Sequence, residues 1–172
     1  KHLTSTKLST YVTNTLILLF GVGILSLFLG LSTAWVVARY DFKLVKFFEW
    51  ALLLPAAVPA YIVAYCYTDF LDFSGPIQTY LRNIFSLNDM KDYYFPQIRS
   101  MGGAIFVLSF VLYPYIYLLS KVAFFSTPVN LFEFAFLRGK SVFFSVAIPI
   151  ARPAIIGGLS LVLMETISDF GT

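Results

Sequence analysis

The chain has 172 residues, 59% hydrophobic and 19% aromatic, with only 12% charged and a formal net charge of +3. A soluble domain carries about 25% charged residues and about 45–50% apolar ones, so this composition excludes an ordinary soluble enzyme and a disordered chain alike. The basic residues are scattered, which speaks against a nucleic-acid partner, and the lone Cys66 and lone His2 supply neither an internal disulfide nor a metal-ligand cluster.

The apolar residues form long runs, the mark of a polytopic α-helical membrane protein. The predicted fold class is therefore all-α. The first predicted span is 15–38, containing LILLFGVGILSLFLGLSTAWVVA without a charge. Roughly 20 helical residues cross a hydrocarbon core, and a helix satisfies its own backbone there. Gly21, Gly23 and Gly30 either admit a close neighbour or simply face lipid. A short linker, 39–49, sets Arg39, Lys43 and Lys46 against Asp41 and Glu49.

The second predicted span is 50–68, WALLLPAAVPAYIVAYCYT, with Pro55 and Pro59 expected to bend it. Residues 69–99 are not a span: Asp69, Asp72, Asp89 and Asp92 face Arg82, Lys91 and Arg99. Phe73-Ser74-Gly75-Pro76 reads as a turn. The spacing of Ile77, Leu81, Ile84 and Phe85 predicts a short surface helix with one apolar face. The third span is 102–120, with Pro114 inside it, and the fourth is 153–172, interrupted by Glu165 and Asp169.

Between the last two lies a mixed segment, 121–152, in which Lys121, Arg138, Lys140 and Arg152 meet only Glu133. Positive charge marks the cytoplasmic side. Linkers 39–49 and 121–152 are net positive and 69–99 is net negative, which puts the first two inside and the third outside. The chain opens KHLTSTKLST and ends DFGT after an apolar run, so both ends are expected to be internal to a longer protein.

The stretch FEFAFLRGKSVFFSVAIPIARPAIIGGLSLVLMETISDFGT resembles the cytoplasmic loop with which ABC-importer permeases dock their ATPase. In that family a Glu-Ala-Ala triplet precedes a glycine, and an Ile-x-Leu-Pro ending follows. Glu133 and Ala135 match the triplet, with Phe134 in place of the middle alanine, and Gly139 matches the glycine. Ala147, Ile148 and Pro149 match the ending loosely, and the interval from Gly139 is about three residues short, nearly one helical turn. The stretches FFEWALLLPAAVPAYIVAYCYTDFLDFSGPIQTYLR and FPQIRSMGGAIFVLSFVLYPYIYLLSKVAF are similar to iron(III)-transport permeases. The resemblance implies part of the first half of a type I ABC importer permease, multi-pass in the bacterial inner membrane.

It also implies the partners: a cytoplasmic ATP-binding subunit, a periplasmic iron(III)-binding protein, the remaining half of the permease or a second copy, and the lipid bilayer. Related permeases carry thiamine, polyamines or phosphonates. The chain holds no G-x-x-x-x-G-K-[ST] loop, and GVGILSLFLG lacks the lysine, so ATP hydrolysis falls to the partner. No catalytic residue, cofactor or metal is expected.

The residues of the loop allow the same role. A short helix closed by a glycine turn can act as a rigid lever. Glu133 is expected near that helix's amino end, beside exposed amides. Gly139 permits a turn closed to bulkier residues. Phe132, Phe136, Phe143 and Phe144 either anchor the lever or fill a partner's groove. An amphipathic connector lying on the bilayer is the competing account. Glu165 and Asp169, four apart in an apolar helix, share a face. They either line a translocation path, bond a neighbouring helix or sit near the outer interface. A secondary transporter with broken helices is the main alternative class.

Overall fold

The computed structural model describes residues 8–72, 74–85 and 100–169, and among these every regular element is helical. The helices are α1 (Leu8–Arg39), α2 (Val45–Ala51), α3 (Ala60–Leu71), α4 (Pro76–Phe85), α5 (Met101–Phe125), α6 (Val129–Leu137) and α7 (Ile148–Asp169). A turn of 3-10 helix, Leu54–Ala57, follows α2, and a π-helical turn, Phe143–Ala147, leads into α7.

Among the described residues, Thr10–Arg39, Met101–Phe125 and Phe143–Ser168 are long and apolar enough to cross a membrane. Their outer faces are apolar too: Phe20, Ile24 and Phe28 on α1, and Met164 and Ile167 on α7, are each more than half exposed. Contiguous stripes of this kind drive association in water and are neutral against lipid tails. This is a helical membrane protein.

The second apolar run is not a single helix. α2 stops at Ala51, Val58 is extended (φ −112, ψ 136), and α3 restarts behind Pro59. Pro59 donates no backbone bond and forces the residue before it out of the helical region. The prolines break this run rather than bend it.

Contacts along the helices fix their directions. Gly21 of α1 lies against Ile105 of α5, Gly30 against Tyr113 and Ile116, and Trp35 against Phe124. α1 and α5 therefore run parallel, and the chain between them must return to the opposite end. The broken run begins that return along α5. Glu49 pairs with Lys121 at 3.2 Å, the Tyr113 hydroxyl donates to Leu52 O at 3.0 Å, and Val63 packs beside the cluster of Val107, Val111, Leu112 and Ile116. α7 is antiparallel to α1: Phe143 meets Trp35, and Leu159 and Leu163 meet Gly23.

Small residues hold this bundle together. A Cβ on Gly30 would sit 2.8 Å from Ile116 Cβ, and one on Gly21 would sit 2.6 Å from Ile105 Cδ1. Close backbone approach is how helices associate where the hydrophobic effect gives no preference for a neighbour over lipid. Buried Ser109 donates to Ile105 O at 2.6 Å, and Ser26 reaches Ser109 O across the interface at 3.5 Å, the long limit of a hydrogen bond.

The linker 126–142 is shorter than the sequence indicated. α5 continues to Phe125, and the last long helix already begins at Phe143. In α4 the apolar residues divide. Gln78 is buried and Leu81 half-buried, while Ile77, Ile84 and Phe85 are exposed with Tyr80.

Lys43 and Lys140 follow helices that end at the same side of the bundle, through the Trp35 contacts of α1 with α5, α6 and the π turn. Cysteines at the two positions, in a Cys66→Ser background, should share one accessibility to an impermeant thiol reagent in intact cells. Labelling of only one would contradict the parallel pairing of α1 and α5. Asp89, expected on the other side, lies outside the described residues.

Candidate docking site

Helix α6 begins where α5 cannot continue. The Thr127 hydroxyl donates to Ala123 O at 2.9 Å, and Pro128, in an extended conformation (φ −58, ψ 135), starts the new helix. α6 turns Phe132 and Ala135 inward, three residues apart and both buried. Phe134 (57% exposed), Phe136 (76%) and Leu137 (82%) face outward.

The helix closes at Gly139 with φ +65. Lys140 N–H donates to Ala135 O at 3.1 Å and Gly139 N–H to Phe136 O at 2.9 Å. These are the two bonds of a Schellman cap, which satisfies carbonyls that a helix end leaves open. A Cβ on Gly139 would meet nothing within 4 Å. The glycine is required by its left-handed backbone and not by space.

Trp35 seats α6. Its ring lies 5.5 Å from Phe124, 6.1 Å from Phe132 and 5.1 Å from Phe143, all edge-on, so one side chain of α1 touches α5, α6 and the π turn. Arg39, one turn on, places its guanidinium 5.0 Å over the Phe132 ring. Edge-on aromatic pairs contribute about 0.5–1.5 kcal/mol each beyond area burial. The four expected anchors thus divide. Phe132 and Phe143 hold α6 and the π turn to the bundle, while Phe136 and Phe144 (70%) remain exposed.

Glu133 does not stand at an amino end. α6 starts at Val129, four residues earlier, and its first turn holds no acidic residue. The Pro128 break sets the start, so the carboxylate lies in the second turn, beyond the exposed amides. Glu133 instead borders an open groove of about 490 Å³ with Arg39, Phe136, Leu137 and Val142. The groove has apolar walls and one charge of each sign.

Ile148 and Pro149 belong to a different element. The residues that end the loop do not form a helix of their own. The π turn runs directly into α7, with Ile148 N–H bonded to Phe143 O five residues back. Pro149 follows, without a donor and with a ring that crowds the carbonyl four residues earlier. A wider π turn relieves that crowding. α6 packs against this π turn, so Glu133, Ala135 and Gly139 stand at the same end of the bundle as Ile148 and Pro149.

Glu165 lies far from this end. It is half-buried, one turn beyond the buried Val162 of α7, and its side chain makes no ion pair or hydrogen bond with the described residues. Asp169 closes α7, and its side chain lies outside the described residues.

Compared with known proteins, the chain matches no family model and no curated sequence. Sequence reasoning overlooked Trp35, Phe124, Arg39 and Val142 as parts of this site. An indole four residues before the arginine that ends a span signals interfacial depth. It does not tell which way the ring turns.

Proposed function

We propose that the chain is a transmembrane part of an ABC importer permease and that α6 docks a soluble ATP-binding subunit. One observation carries this: a capped helix, keyed by Phe132 and Phe143 onto Trp35, presents Phe134, Phe136 and Leu137 outward at the end that gathers Arg39, Lys121, Arg138, Lys140 and Arg152. Such an element passes force from a soluble partner to α1, α5 and α7 without bending. The excess of basic residues there favours the cytoplasmic side, where ATP is. The resemblance to iron(III)-type permeases makes iron(III), delivered by a periplasmic binding protein, the proposed substrate. It likewise makes the bacterial inner membrane the proposed location. Glu165, half-buried in an apolar helix, is the described candidate for a translocation path.

The test is at Gly139. Left-handed backbone costs an L-residue about 1–2 kcal/mol, and β-branched residues tolerate it least. Gly139→Val should sever co-purification of the ATP-binding subunit with the full-length permease and remove substrate-stimulated ATP hydrolysis in liposomes. Gly139→Asn, which tolerates this conformation, should retain most of both. Membrane insertion should be unchanged, since it depends on the apolar runs and flanking charges. Normal association and normal stimulated hydrolysis in the valine variant would remove α6 as the coupling element.

A further inference from the structure

Helix α2 has two unlike faces. Inward, Val45, with Leu52 and Leu53 just beyond the helix, packs on the core around Trp35, Glu49 pairs with Lys121 at 3.2 Å, and Leu52 O accepts from the Tyr113 hydroxyl at 3.0 Å. These contacts fasten α2 across the ends of α1 and α5. Outward, Phe47 is 66% and Trp50 77% exposed. Lys43 and Lys46 each precede one of these rings by four residues; both lysines are exposed, and neither is paired among the described residues.

The local charge is cationic. Glu49 is neutralised by Lys121, and Arg39 turns onto Phe132, towards α6. Exposed Asp41 is then the acidic group left beside the two lysines. Between α1 and α2 runs an open groove of about 390 Å³, walled by Val36, Val37, Phe42, Phe48 and Leu52. Ser32 and Thr33 also border it, but their hydroxyls already donate to Leu29 O at 3.1 and 2.6 Å. The interior therefore calls for an apolar occupant. In the chain Lys43 follows the wall residue Phe42 and Lys46 stands two before Phe48, and both are exposed.

We infer that this groove holds an anionic phospholipid, with an acyl chain against Val36, Phe42 and Phe48 and the headgroup on Lys43 and Lys46. Both ends of such a molecule find a match: an acyl chain with no polar demand for the groove, and a phosphate for two exposed ammonium groups that have no partner among the described residues. The indole of Trp50 is at home at headgroup depth, and a lysine stem can lie along apolar surface while its ammonium reaches the headgroups. Each lysine near an anionic leaflet contributes enough to change occupancy about fivefold.

Trp50, four residues after Lys46 and exposed, reports lipid that gathers beside α2. These 172 residues hold 2 tryptophans; Trp35→Phe, together with phenylalanine at every tryptophan outside them, leaves Trp50 as the single one in the full-length protein. The full-length protein is placed in vesicles doped with brominated phosphatidylglycerol or brominated phosphatidylcholine. Quenching of Trp50 should reach half-maximum at a several-fold lower fraction of the anionic lipid. Lys43→Gln with Lys46→Gln should merge the two curves while leaving the phosphatidylcholine curve in place, which also reports intact insertion. Should that variant fail to insert, raising the salt on the unsubstituted lysines must merge the curves by itself. Coincident curves at low salt before any lysine is changed would overturn the proposal. So would a preference that survives the double substitution or high salt.

Discussion

Trp35→Ala is expected to cost about 3–5 kcal/mol, the range for removing a large aromatic from a packed site. The loss is larger in consequence than in size, because Trp35 touches Phe124, Phe132 and Phe143 at once. Without the indole, α6 and the π turn keep their own helical bonds but lose their common seat. Thermal unfolding of the full-length protein in detergent should shift down by many degrees. Trypsin cleavage after Arg138 and Lys140, both exposed, should accelerate as α6 lifts away. Trp35→Phe should recover most of the stability, since a ring still reaches the same three neighbours. A midpoint for Trp35→Ala equal to that of the parent would show that α6 is held by something else.

The second large effect distinguishes two adjacent glycines. A Cβ on Gly158 would lie 2.9 Å from Ile116 Cα and 3.3 Å from Tyr115 O, both backbone atoms of α5. No rotamer change relieves that, so α5 and α7 must separate. A Cβ on Gly157 would meet only Leu119 Cδ1, at 3.8 Å, an ordinary contact. Gly158→Val should destabilise by at least the roughly 1–3 kcal/mol typical of overpacking, and it should lower the yield of folded protein. Gly157→Val makes the same change in helix propensity without the clash and should stay close to the parent. Denaturation in mixed detergent micelles compares the two directly. Equal losses would mean that the α5–α7 crossing is wider than described.

Gly139 was legible before any fold was known. Its left-handed cap is a local matter: glycine is the residue that takes positive φ freely, and a helix end needs its carbonyls satisfied. The membrane class was legible for a similar reason. The cost of placing residues in hydrocarbon depends on composition along the chain, so the runs now seen in α1, α5 and α7 stood out in the sequence. Pro55 and Pro59 announced a disturbance. Only the structure shows α2, the 3-10 turn and α3 as separate pieces, with Glu49 of α2 bound by Lys121 and Leu52 O, just after it, by Tyr113. Glu133 was misplaced by one helical turn, because Pro128 and the end of α5 set where α6 starts.

What the sequence could not decide is which way each helix turns. In water a buried face is apolar and an exposed face polar, so periodicity reveals the core. In lipid both faces are apolar, and that contrast disappears. Phe28 and Trp35 sit on one helix with similar neighbours. Yet Phe28 is 69% exposed while Trp35 joins three elements, and Gly157 and Gly158 differ in the same way. Composition placed these residues in the membrane. Packing between helices, which depends on shape rather than polarity there, decided which of them face one another.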